Sequence, residues 1–179
     1  MGSMISHFLS RWQQPATTSK QAVEYPAAPG TGIRFSPTLV DELKTEHQQF
    51  FRLHQLLLDA LRDERLDEVP ALLHRFDTLL TSHLLTEQVR LYAYMDAYFN
   101  SDPQAREMLR DYRIEMERIG NSVRKMIKKY KDIADRPELQ ATIEEDMEEL
   151  RQVLAERMSR EELTLYPLYM PITGEGNNR

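Results

Sequence analysis

The stretch SHLLTEQVRLY at residues 82–92 sets an imidazole, His83, and a carboxylate, Glu87, four residues apart in an otherwise apolar helical stripe. That spacing puts both side chains on one helical face about one turn apart. Leucines would fill such positions without a desolvation penalty, so the pair calls for either a metal ion or a buried, hydrogen-bonded ion pair. Two more histidines fall in the inward register, His47 in KTEHQQF and His54 two turns later, and Glu161 stands on the corresponding face of the last helical segment. Imidazole and carboxylate suit iron, zinc or manganese, and a bundle interior is a recurrent place to gather such ligands from facing helices. An HxxxE spacing alone does not choose between metal and ion pair. His54 reads more simply as a satisfied core histidine. His74, half a turn round from the His83 stripe, reads as lying outside the core, and His7 asks for no functional account.

Four segments with helical periodicity carry these residues. The first is expected from Ser36, as cap with Pro37 in the first turn, to about Arg62. It turns inward Val40, Leu43, His47, Phe50 or Phe51, His54, Leu57 or Leu58, and Leu61. The second, about Glu68 to Phe99, presents Leu72, Phe76, Leu79 or Leu80, His83, Glu87, Leu91 and Tyr94. A third starts at the SDP of residues 101–103 and runs to about 132, presenting Leu109, Tyr112, Met116, Ile119, Val123, Met126 or Ile127, and Tyr130. The fourth, about 137–166, presents Ile143, Met147, Leu150, Leu154, Arg157 or Met158, Glu161 and Leu165, and Tyr166-Pro167 ends or bends it.

Four apolar stripes joined by short loops predict an all-α, antiparallel up-down-up-down four-helix bundle over residues 36–169. Ahead of it, residues 1–35 read as a Met-Gly-Ser expression scar and an irregular, proline-containing N-terminal arm, with Phe8, Trp12 or Tyr25 as its anchors. Residues 170–179 read as a flexible C-terminal tail. Tyr92, Tyr94 and Tyr98 either seal the bundle end or line an access path, and packing is the simpler reading.

The net charge of −6, from 29 acidic and 23 basic residues, supplies no general attraction to nucleic acid. With no cysteine, disulfides, thiolate metal sites and a catalytic cysteine are excluded. No run approaches the roughly 18 apolar residues of a membrane span, and no signal-peptide core is present, so a cytoplasmic protein is expected. RKMIKKYK at 124–131 and EEDMEE at 144–149 read as solvated helix faces, or as a docking surface for a partner. No phosphate-binding glycine loop, nucleophile elbow or dinucleotide fingerprint supports an enzyme.

Taken together, TEHQQFFRLHQLL, FDTLLTSHLLTEQVRLY and SREELTLYPLY resemble the hemerythrin-like, HHE cation-binding family, over roughly residues 36–169. The resemblance implies a non-heme di-iron centre with His47 and His83 on one iron, Glu87 as a bridging carboxylate and Glu161 as the retained carboxylate of the fourth helix. The chain departs from the pattern in its second half. Met116 in IEMERIG and Arg157 in RMSREELTLYP stand where the family has histidines. Neither replaces imidazole at a hard, oxygen-bridged iron, but Arg157 brings a permanent charge and five donors to the carboxylates.

Three readings follow. One metal ion is held by His47, His83, Glu87 and Glu161; or the bundle is metal-free, closed by Arg157 and used for protein interaction; or a full di-iron centre forms, which the loss of both second-half histidines disfavours. The reading taken is a non-enzymatic hemerythrin-like protein, a regulatory or interaction bundle with a reduced or lost di-iron site. The alternative is a metal-binding protein using a mononuclear or di-iron centre to bind or sense dioxygen or nitric oxide. The expected cofactor is iron, one ion rather than two, or none. Expected partners are a protein or a second copy of the chain, and dioxygen or nitric oxide, with neither nucleic acid nor membrane.

Overall fold

A computed structural model describes residues 25–171. His7, Phe8 and Trp12, and all but the first two residues of the expected tail, lie outside the described residues. Four helices form the bundle: α1 Leu39–Arg62, α2 Val69–Thr86, α3 Pro103–Tyr130 and α4 Gln140–Arg160. Two of them continue through a wide turn with i→i+5 bonding. After α2 comes Glu87–Tyr92 and a short helix Ala93–Tyr98; after α4 comes Glu161–Leu165 and a tight turn Tyr166–Leu168. Both wide turns begin on a carboxylate singled out in the sequence, and such turns are frequent at functional sites.

The helices run antiparallel, as cross-helix pairs show. His47 meets Glu162 while His54 meets Met147, so α1 and α4 oppose each other. Phe50 faces Phe76 while Glu46 reaches His83, so α1 and α2 do the same. Lys129 bonds Asp146 while Arg157 bonds Glu115, which orients α3 against α4. Each helix touches its chain neighbours and α1 closes the ring on α4, the up-down-up-down order expected from short loops.

Helix starts follow the sequence signals with one correction. Asp102 caps α3, accepting from the Gln104 and Ala105 amides at 3.0 Å each. Ser36 does not cap α1, which starts at Leu39, two residues beyond the expected Pro37. The Ser36 amide is taken by the Tyr169 hydroxyl at 2.8 Å and its hydroxyl by Arg90 at 3.2 Å, which holds the residue outside the helix. Tyr25 does anchor the segment before α1: it meets Phe35 edge-on at 4.9 Å, and Phe35 stacks on Tyr169 at 4.7 Å.

Burial resolves the paired alternatives to Phe50, Leu57, Leu80 and Met126, whereas both Arg157 and Met158 are buried. Leu39 takes the core place expected of Val40, which is half-buried, as is Tyr112. His54 is a satisfied core histidine, its Nε2 3.1 Å from the Met147 carbonyl, and His74 is exposed. The charged runs meet where Lys129 and the Tyr130 hydroxyl both bond Asp146, at 2.8 and 2.6 Å, so they tie α3 to α4 as well as facing solvent. No described helix is long and apolar enough to cross a membrane.

The buried apolar residues divide into two clusters. A large one runs from Phe50 and Phe76 to Tyr130 and Met147, and a smaller one gathers Leu39, Leu43, Leu91, Tyr94, Leu165 and Tyr169 at the other end. Between them along α1, α2 and α4 lie His47, His83, Glu87, Arg157 and Glu161, each at most 2% exposed. The core is therefore interrupted by a polar layer.

Candidate metal centre

α1 and α2 each bring one imidazole to this layer. His83 Nδ1 lies 2.7 Å from Glu46 Oε2, and His47 Nδ1 lies 2.8 Å from Glu162 Oε1. A ring that donates its Nδ1–H to a carboxylate keeps an unprotonated Nε2, and the carboxylate fixes the ring's orientation. Both Nε2 atoms face the interior, and in the tautomer with the proton on Nδ1 they carry the free lone pair. Glu161 Oε2 stands 3.3 Å from His47 Nε2, and one donor atom from each of His47, His83 and Glu161 falls within 4.8 Å of the others.

Glu87 borders this cluster. Its Oε1 is 4.0 Å from His83 Nε2 and accepts from the Tyr166 hydroxyl at 3.2 Å, while its buried Oε2 has no hydrogen-bond partner among the described residues. Two imidazoles and a carboxylate form a donor set that suits ferrous iron or zinc. The unbonded carboxylate oxygen beside them is one that a cation or a donor would satisfy. The residues fit a single metal ion.

On the other side of Glu161 stands Arg157. Its Nε and one terminal nitrogen both lie 2.7 Å from Glu161 Oε1; the terminal nitrogens also reach Glu115 Oε2 at 3.0 Å and the Tyr92 hydroxyl at 3.1 Å. The guanidinium lies 4.4 Å from the Tyr112 ring centroid, a cation–π contact, and Arg160 makes a second bond to Glu115. Glu161 thus places one oxygen on an imidazole and the other on a fixed cation.

The two halves repeat one pattern. Glu46-His47 on α1 answers Glu115-Met116 on α3, and His83, Glu87, Tyr92 have the same spacing as Arg157, Glu161, Tyr166. In an α-helix a residue five positions on is turned about 140° away from the first. The i→i+5 turns bring Tyr92 and Tyr166 back to the interior, and each tyrosine crosses to the other half: Tyr92 to Arg157, Tyr166 to Glu87 and His47. Glu46 orients His83 as Glu115 orients Arg157.

The electrostatics follow. Burial, reinforced by Glu161, pushes the Glu87 carboxyl well above its ordinary range, and the Arg157 charge only partly offsets this. Burial also opposes the charge of Arg157, yet Glu161, Tyr92 and Glu87 more than compensate and raise its pKa. Burial disfavours ionised Glu115, but Arg160 and Arg157 overcome that and hold it below the usual value.

Of the expected site residues, the structure clusters His47, His83 and Glu161 and sets Glu87 at their edge. Sequence reasoning missed Glu46, Glu115, Glu162, Tyr92 and Tyr166. Tyr92 does not merely seal the bundle end; it is bonded to the buried arginine. The duplicated spacing was the signal that could have found Glu46, Glu115, Tyr92 and Tyr166; Glu162, whose counterpart is Gln88, carries no such mark.

The model of the hemerythrin HHE cation-binding domain matches residues 38–169. No curated protein and no solved structure gives a match.

Two predictions concern the metal-free protein. Arg157→Met leaves Glu161 buried without its cation, and urea unfolding at neutral pH should show a loss of about 3–5 kcal/mol; an unchanged midpoint would contradict the charge assignment. Glu87 has a folded-state pKa above its ordinary 4.5. Its stabilising contribution is therefore complete below the unfolded value and lost as pH rises through the folded one. Glu87→Gln, which mimics the protonated form, should match wild type below 4.5 and exceed it increasingly above, in unfolding curves across that range. An equal or smaller stability at pH 7 would refute the burial argument.

Proposed function

Because the chain belongs to the hemerythrin HHE cation-binding family, we propose that it is a non-catalytic module built around one metal ion in place of two. His47 and His83 are its imidazole ligands, Glu161 its carboxylate ligand, and Glu87 the further acidic member of the site. The observation that carries this reading is the division of labour at Glu161, with Oε2 turned to His47 and Oε1 engaged by Arg157. The guanidinium supplies the positive charge that a second ion would otherwise supply to that carboxylate.

Members of the family are generally oxygen-binding or sensing modules rather than catalysts. Iron held here would supply a position for a small diatomic gas such as dioxygen or nitric oxide. The chain's own residues do the rest. Glu46 and Glu162 aim the imidazoles, Arg157 balances Glu161, and the two apolar clusters exclude water from the layer. For a regulatory role, Leu85 and Val89 are exposed one turn apart at 60% and 50%, an apolar ridge beside Glu87 for a protein partner or second copy.

The test is metal content per chain by elemental mass spectrometry, on protein expressed with supplemental iron and purified without chelator or histidine tag. About one ion per chain is expected, and His47→Ala should abolish it while circular dichroism retains the helices. Two ions per chain would overturn the single-metal reading. None, with iron and zinc reconstitution also failing, would replace it with a metal-free interaction bundle.

A further inference from the structure

Tyr166 occupies a place that its role as a packing residue does not explain. Its hydroxyl lies 3.2 Å from His47 Nε2, the nitrogen left free when Nδ1 engages Glu162, and 3.2 Å from Glu87 Oε1. The residue is 3% exposed, and its ring lies nearly parallel to that of His47, at 20° and 5.8 Å between centroids. Two donor atoms held at right angles about 2.1 Å from one ion stand about 3 Å apart. The Tyr166 oxygen and Glu161 Oε2, at 3.2 and 3.3 Å from His47 Nε2, both keep close to that separation from the same nitrogen. Glu87 is farther out, 4.0 Å from His83, with Tyr166 bonded to it.

We propose that Tyr166 is itself a ligand, its oxygen binding as phenolate the ion held by His47, His83 and Glu161. This rests on the single-metal reading above. As the metal–oxygen bond forms the phenolic O–H bond breaks and its proton moves to Glu87 Oε1, which when already protonated releases its own proton from Oε2 to solvent; no electron moves. Glu87 then keeps the proton and hydrogen-bonds the coordinated oxygen instead of serving as a ligand. A bound cation favours the deprotonated form of an acid that coordinates it. The geometric support is specific to this tyrosine: its counterpart in the other half, Tyr92, reaches the guanidinium of Arg157.

The experiment loads the full chain with one equivalent of ferric ion and reads two quantities, bound iron by elemental mass spectrometry and visible absorption. Phenolate on ferric iron gives an intense visible charge-transfer band with tyrosinate vibrations in resonance Raman. Wild type and Tyr98→Phe, a partly exposed tyrosine outside the polar layer, should show both, and Tyr166→Phe should lose the band while still binding iron. Iron bound without the band in wild type, or the band surviving in Tyr166→Phe, overturns the assignment and leaves the single-metal reading standing. Absence of bound iron overturns the assignment of Tyr166, and failure of zinc to bind as well overturns the single-metal reading. Should Tyr166→Phe fail to fold, the vibrations of wild-type protein carrying ring-deuterated tyrosine decide: shifted modes support ligation, and absent or unshifted modes refute it.

Discussion

Two carboxylates, Glu87 and Glu161, are each 1% exposed in the middle of a bundle core, and most of what is unusual here answers that constraint. A buried carboxylate must find a cation or strong donors, or take up a proton. Glu161 takes the first course with Arg157 and borders the imidazole of His47. Among the described residues Glu87 accepts a hydrogen bond only from the Tyr166 hydroxyl, and its raised pKa and unbonded oxygen are two expressions of the same shortage. The layer divides the core into two apolar clusters, so the bundle gives up continuous packing to keep these groups together.

The two halves differ in what they put opposite those carboxylates. One offers imidazoles aimed by Glu46 and Glu162; the other offers a guanidinium aimed by Glu115 and Tyr92. A guanidinium is a planar, permanently charged donor with several N–H groups, and it satisfies carboxylate, carboxylate and phenol together without any exchangeable ion. Met116, at the place equivalent to His47, is buried in the large apolar cluster and adds no charge. On one side of Glu161 the positive charge is thus supplied by the protein itself, through Arg157.

Helix count, order and inward stripes were legible because burial on one face imposes a period that side chains must obey. His83, Glu87 and Glu161 stood out as polar interruptions of that period, and Arg157 stood out as the wrong residue for a ligand. The wide turns at Glu87 and Glu161 were not legible, since shifting a backbone bond by one residue leaves no compositional mark. That hid Tyr92 and Tyr166, which an unbroken α-helix would turn away from the layer. Glu46 and Glu162 were overlooked because each adjoins a stripe residue and partners a histidine on a different helix. Ser36 misled because its cap chemistry was already committed to Tyr169 and Arg90.

The most direct test is diffraction from crystals of iron-loaded protein, with anomalous maps recorded at the iron edge. One peak is expected, between His47, His83 and Glu161, with the Arg157 guanidinium still on the other oxygen of Glu161. A second peak beside Glu115 and Glu161 with the arginine swung aside, or no peak in the layer, would contradict it.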